Sequence, residues 1–125
     1  MNRWLLKRRW GGAMRQTGVL TAMCLYALDH HVERLADDHA LARSIGAGLS
    51  DAPAIARIHP VETNIVLVDL AETAPDARET ARILKARNVT VTVVESRRLR
   101  IVTHLDVGPA DAEVLVAAFR TLPQG

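Results

Sequence analysis

The spacing of apolar residues changes along the chain, and with it the element each stretch predicts. Between Met14 and Leu28, residues Val19, Leu20, Met23, Leu25 and Leu28 fall near helical spacing with no charge among them. That pattern predicts a helix buried on most sides. The next stretch, LDHHVERLADDHALARSIGAGLSDAP, carries a narrower stripe of Leu35, Ala42, Ile45 and Leu49, with Val32 and Leu41 at its edges and Glu33, Asp37 and Arg43 outside it. It reads as an amphipathic helix, interrupted at Asp38 and closed by the Gly46 and Gly48 region and Pro53, with a bend at Asp29 to His31 before it.

After Pro60 the period shortens. TNIVLVDL is apolar and β-branched and reads as a buried strand; TAPDARETARILKARN follows as a helix with Ala77, Thr80, Ala81 and Leu84 inward and Thr73 as its cap. VTVTVVES and LRIVTHLDV are two further strands, paired across a tight turn at Ser96 to Arg98. GPADAEVLVAAFRTL opens a last helix near Pro109 and Asp111 and places Val114, Leu115, Ala118 and Leu122 on one face. The expected fold is α/β in two layers: a three-strand sheet with helices on one side, preceded by two helices.

Composition fits such a domain. The 125 residues are 49% apolar and 24% charged, a globular mix that argues against disorder. Cys24 is the single cysteine, which excludes an internal disulfide and suits a reducing cytoplasm. The opening MNRWLLKRRWGG lacks the ~7 to 15 residue apolar stretch of a signal peptide, and no stretch reaches the ~20 residues of a membrane helix. No membrane association is expected.

Charge is local. Arg3, Lys7, Arg8, Arg9 and Arg15 are balanced by no acid in the first sixteen residues, whereas the remainder holds 11 basic and 14 acidic residues. A cationic edge results, not a nucleic-acid surface, and no aromatic stacking platform accompanies it. The histidines, at 30, 31, 39, 59 and 104, lack metal-ligand spacing, so no metal site is expected.

Two strings stand out as candidate chemistry. In RRWGGAMRQTG, glycines and a small residue precede a helix start, where free amides favour an anion and Arg15 adds a charge; a plain turn is the simpler reading. In RLRIVTHLDVG, Arg98 and Arg100 alternate with Leu99 and Ile101, so both guanidinium groups share one face of a strand. Either can take a carboxylate bidentately or simply pair with a surface acid, and spacing does not choose between them.

Together, KRRWGGAMRQTGVLTAMCLYAL, HHVERLADDHALA, TNIVLVDL, LKARNVTV and RIVTHLDV resemble, in order and separation, the C-terminal part of the low-specificity threonine aldolases, fold type I enzymes dependent on pyridoxal phosphate. The resemblance implies an oligomeric parent enzyme that holds a β-hydroxy-α-amino acid on the cofactor and cleaves its Cα–Cβ bond to glycine and an aldehyde, the ring acting as electron sink. It implies that Arg100 grips the substrate carboxylate, and that Arg15 lies near the cofactor or a subunit boundary. Arg8 falls where the family usually has lysine near the cofactor, and Ala13 replaces the family's third glycine, a change that a position of positive φ would resist.

The resemblance also implies that the lysine forming the cofactor imine lies upstream of the glycine string. Lys7 and Lys85 are the lysines present and neither matches it. The expected organisation is a lead-in from a larger domain over residues 1–13 and a small C-terminal domain over 14–125. The expected function is that of a threonine aldolase fragment acting on L-threonine or L-allo-threonine with a large pyridoxal-phosphate domain or a second copy as partner, inactive alone. The alternative is a dimerisation module derived from that domain.

Overall fold

The computed structural model describes residues 3–12 and 14–124, and the chain divides into two compact units, the first ending at Arg34 and the second beginning at Leu35.

In the first unit α1 spans Arg3–Arg9 and α2 spans Gly18–His30. The helix expected from Met14 thus starts four residues later, and the basic lead-in is itself helical. Its end explains the glycine pair. Gly11 takes φ 79°, its N–H donates to the Arg8 carbonyl at 3.3 Å, and the Gly12 N–H donates to the Lys7 carbonyl at 2.7 Å. This is the paired closure that ends a helix on a left-handed residue. A Cβ on Gly12 would lie 2.8 Å from the Lys7 carbonyl oxygen, so the glycine is required by the chain itself. The position of Ala13 lies outside the described residues. The expectation that α2 is buried on most sides is not met: none of its residues is buried, and Val19, Met23 and Leu28 are each more than 60% exposed.

The second unit runs α3 (Leu35–Leu49), β1 (Ile55–Ile58), β2 (Ile65–Leu70), α4 (Ala77–Lys85), β3 (Thr92–Glu95), β4 (Arg98–Val102) and α5 (Pro109–Arg120). Its sheet has four antiparallel strands in the order β1-β2-β4-β3, one more than the three expected. The addition is β1, IARI between Pro53 and Pro60, too short and too charged to show a period. β3 and β4 pair across the Ser96–Arg97 turn as the sequence indicates.

Alternation sorts the sheet into two faces. Val66, Val68 and Leu70 of β2 and Leu99 and Ile101 of β4 are buried on one. There α3 packs on β1 and β2, α4 packs on β3 and β4, and α5 packs against α3. Phe119 is fully buried in this core, with Ala42, Ile45 and Leu49 of α3 and Leu84 of α4. The inward stripe of α3 differs from its reading in two places. Leu35 is 44% exposed, whereas Asp38 is buried. In α5, Val114 turns outward and Ala112 and Phe119 take the inward places.

Capping follows local chemistry. Asp76, not Thr73, caps α4, its carboxylate accepting from the Glu79 N–H at 2.9 Å. Thr73 is drawn off to donate to the Gln124 side chain at 2.9 Å. The turn after α4 repeats the closure of α1 with Asn88 at φ 62°, Val89 N–H donating to Leu84 and Asn88 N–H to Lys85. At α5, the Gly108 N–H donates to Asp111 at 2.8 Å with Pro109 opening the helix, as expected. No helix among the described residues is long and apolar enough to cross a membrane.

The polar residues of TNIVLVDL and VTHLDV form a clasp. Thr103 is fully buried; its hydroxyl donates to the Asp38 carbonyl at 2.7 Å, and the Asn64 amide donates to the Thr103 carbonyl at 2.7 Å. The end of β4 is thereby tied both to α3 and to the start of β2. Thr103→Val keeps the volume but leaves that carbonyl without its buried donor, which costs about 1–3 kcal/mol. Urea denaturation of the variant is expected to show the loss as a lower midpoint with an unchanged slope.

Candidate carboxylate-binding face

Among the described residues no helix of the second unit packs on the second face of the sheet, and it is here that β4 turns its arginines. Asp69 of β2 is the register partner of Arg98, and Leu67 of β2 and Thr92 of β3 are those of Arg100. The consequence is a division between two residues that look alike in sequence. Arg98 Nε donates to Asp69 Oδ1 at 2.6 Å, its Nη2 reaches Asp69 Oδ2 at 3.4 Å, and its Nη1 donates to Glu95 Oε1 at 2.7 Å. His59 Nε2 meets Asp69 Oδ2 at 2.9 Å from the other side. Arg98 is the plain ion-paired residue of the simpler reading.

Arg100 is exposed and makes no hydrogen bond or ion pair with any described residue. Its guanidinium remains available for a planar bidentate contact with a carboxylate. Asp69 is missing from the sequence reading, which took TNIVLVDL simply as a buried strand. The signal was present: a lone acid at an outward position of an apolar strand asks for a partner across the ladder. His59, one of the histidines without metal-ligand spacing, joins that group through Asp69. His104 is the polar end of the strand, exposed and 3.7 Å from Asp106.

The hydrogen bond from Arg98, ahead of that from His59, lowers the Asp69 carboxyl below its ordinary 3.8. The same contact raises Arg98. Both side chains keep about a quarter of their surface in water, so solvent screens the pair.

Arg8 and Arg15 belong to the first unit and Arg100 to the second, so neither unit alone brings the three together. Arg8 is exposed in the last turn of α1, and Arg15 is exposed in the turn before α2, next to Gln16 at φ 55°. Thr17 caps α2 without a side-chain bond. The two lysines lie apart in the fold, one in each unit. Lys7 Nζ sits 5.3 Å from the centre of the Trp4 ring, and Lys85 ends α4 on the exposed surface. A groove of about 550 Å³ between α3 and α5, lined by Leu41, Ile45, Val116 and Arg120 among others, lies on the helix layer and includes none of the candidate arginines.

Comparison with known proteins identifies a family and a fold. Residues 1–73 match the family described as β-eliminating lyase. A probable low-specificity L-threonine aldolase 2 of Arabidopsis thaliana is 37% identical over 122 residues, 96% of this chain and 34% of that protein. The low specificity L-threonine aldolase of Escherichia coli K12 is 37% identical over 125 residues, 95% of this chain and 36% of that one. The chain spans about a third of the length of these relatives and corresponds to their C-terminal part. Among solved structures, an ornithine aminotransferase of Toxoplasma gondii, described with partial occupancy of PLP at its active site, superposes with a TM-score of 0.58 at 18% identity. The overlap covers 72% of this chain and 24% of that one. It shows an α/β fold shared by the two.

Because the folded-state value of Asp69 is depressed, its pairing stabilises the fold above about pH 4, and that contribution fades as pH falls through the lowered value. Asp69→Asn is expected to lower the urea midpoint by roughly a few tenths of a molar at pH 7. The gap from the unmodified chain should narrow as the pH is lowered from 7 to 3; a gap equal at both pH values would mean that the ionised carboxylate contributes nothing.

Proposed function

Because this chain belongs to the β-eliminating lyase family, we propose that it supplies the substrate-carboxylate grip of a low-specificity L-threonine aldolase. The parent reaction is cleavage of L-threonine or L-allo-threonine to glycine and acetaldehyde with pyridoxal phosphate. The observation that carries the reading is Arg100: it lies in the RIVTHLDV string, on the open face of the sheet, with its guanidinium unengaged while Arg98 is fully paired. A carboxylate presented to that face meets one free planar cation and is fixed in orientation by a bidentate contact.

Residues 1–13 act as the lead-in from a larger domain and 14–125 as the small domain. Arg15 and Arg8 bring positive charge to the cofactor side, where an anionic group is bound. Its partner is a large pyridoxal-phosphate domain or a second copy, in a reducing cytoplasm that suits unpaired Cys24. With Lys7 and Lys85 as its only lysines and neither set in a site, the chain alone turns over no substrate. A second reading, a stand-alone dimerisation module, is favoured by the bare apolar surface of α2.

Mixing the chain with the purified upstream two thirds of the Escherichia coli relative tests the first reading. Threonine-dependent acetaldehyde is expected only in the mixture, and Arg100→Gln should lower it by at least about 30-fold, the cost of leaving a buried charge unpaired. Absence of activity in every mixture, with a concentration-dependent dimer of the chain in sedimentation equilibrium, would favour the second.

A further inference from the structure

Arg98 and Arg100 stand on the same strand face about 7 Å apart, close enough for one small dianion to bridge them, yet only one is open. What separates them is a pair of carboxylates, of which Asp69 is the better covered. Asp69 commits both oxygens, Oδ1 to Arg98 Nε at 2.6 Å and Oδ2 to His59 Nε2 at 2.9 Å, and Glu95 takes Arg98 Nη1 at 2.7 Å. Asp69 reaches Arg98 because the β2–β4 register sets them opposite each other, whereas the same register gives Arg100 only Leu67 and, from β3, Thr92. Glu95 is over half exposed on an edge strand and cannot hold Arg98 as firmly as Asp69, which is three-quarters covered.

We propose that Asp69 is a specificity-determining positioning residue: by neutralising and tethering Arg98 it leaves Arg100 as the single open guanidinium of this face, matching the site to a ligand with one carboxylate. Without the charge at Asp69 the face becomes a two-arginine site that favours dicarboxylates. The inference rests on reading Arg100 as the carboxylate grip, but its test needs no turnover, so failure to obtain an active mixture leaves it readable.

The test follows the side-chain Nε–H resonances of Arg98 and Arg100 by NMR in the 125-residue chain, titrated with sodium acetate or sodium succinate at constant ionic strength. In the unmodified chain both anions should shift Arg100 and leave Arg98 in place. In Asp69→Asn succinate should shift both, and the ratio of succinate to acetate affinity should rise about two- to five-fold, the worth of one exposed ion pair. Asp69→Asn combined with Arg98→Gln should restore the original ratio, which an effect of general loosening would not do. Should Asp69→Asn fail to fold, Arg98→Gln alone must keep the acetate and succinate response of Arg100 unchanged. Movement of Arg98 together with Arg100 in the unmodified chain, an unchanged ratio in Asp69→Asn, or a weakened Arg100 response in Arg98→Gln would overturn the proposal.

Discussion

Strand β4 has to serve two solvents with five residues. Leu99 and Ile101 must enter a core already filled by Phe119, Leu84 and Ile45, while Arg98 and Arg100 must stay in water. A slip of one residue would bury both guanidinium groups and expose both apolar chains, so the register is held far more firmly than backbone hydrogen bonds alone would hold it. The Asn64–Thr103–Asp38 clasp fixes the same register from the strand end. The position of Arg100 is therefore a property of the core, and a side chain placed in this way needs no rigid loop to aim it.

Once the face is fixed, electrostatics divides its two arginines. The division depends on what stands opposite: an acid across from Arg98, a leucine and a threonine across from Arg100. Two residues of identical type and identical strand parity thus acquire different roles, one as a neutralised prop and one as an open cation. This explains why spacing alone could not rank them. Parity is a property of one strand, whereas pairing is a property of two, and it is the β2–β4 alignment that carries the information.

The same distinction governs how much of the fold was legible. Helices α3, α4 and α5 and strands β2, β3 and β4 showed in the sequence because each has a long enough period, and the pairing of β3 with β4 because only a tight turn separates them. β1 did not, since four residues with a central arginine carry no period. The α4 cap went to Asp76 because a carboxylate next to the first turn outcompetes a hydroxyl three residues earlier. The glycine pair was legible as a turn, and the structure gives it an owner, the end of α1, so its backbone amides are already spent within the chain. Asp38 looked like a flaw in the stripe of α3 because a sequence does not show that its carbonyl receives Thr103.

Helix α2 poses the opposite problem, a pattern that was read correctly as apolar but whose cover is not found among the described residues. Val19, Leu20, Met23, Leu25, Tyr26 and Leu28 all remain 48% exposed or more. An isolated helix of 13 residues is marginal in water, because nucleation is costly and propagation adds little per residue. The core cluster of the second unit draws on residues from Leu41 onward. Burying even three such side chains contributes roughly 1.5–3 kcal/mol each, more than the marginal free energy of the helix itself. The helical state of α2 and its contact with a partner surface are thus thermodynamically one event, and whatever covers this helix also determines how far its order persists. The two partners proposed for it, a large domain and a second copy, differ in whether the resulting assembly also brings a ligand to Arg100.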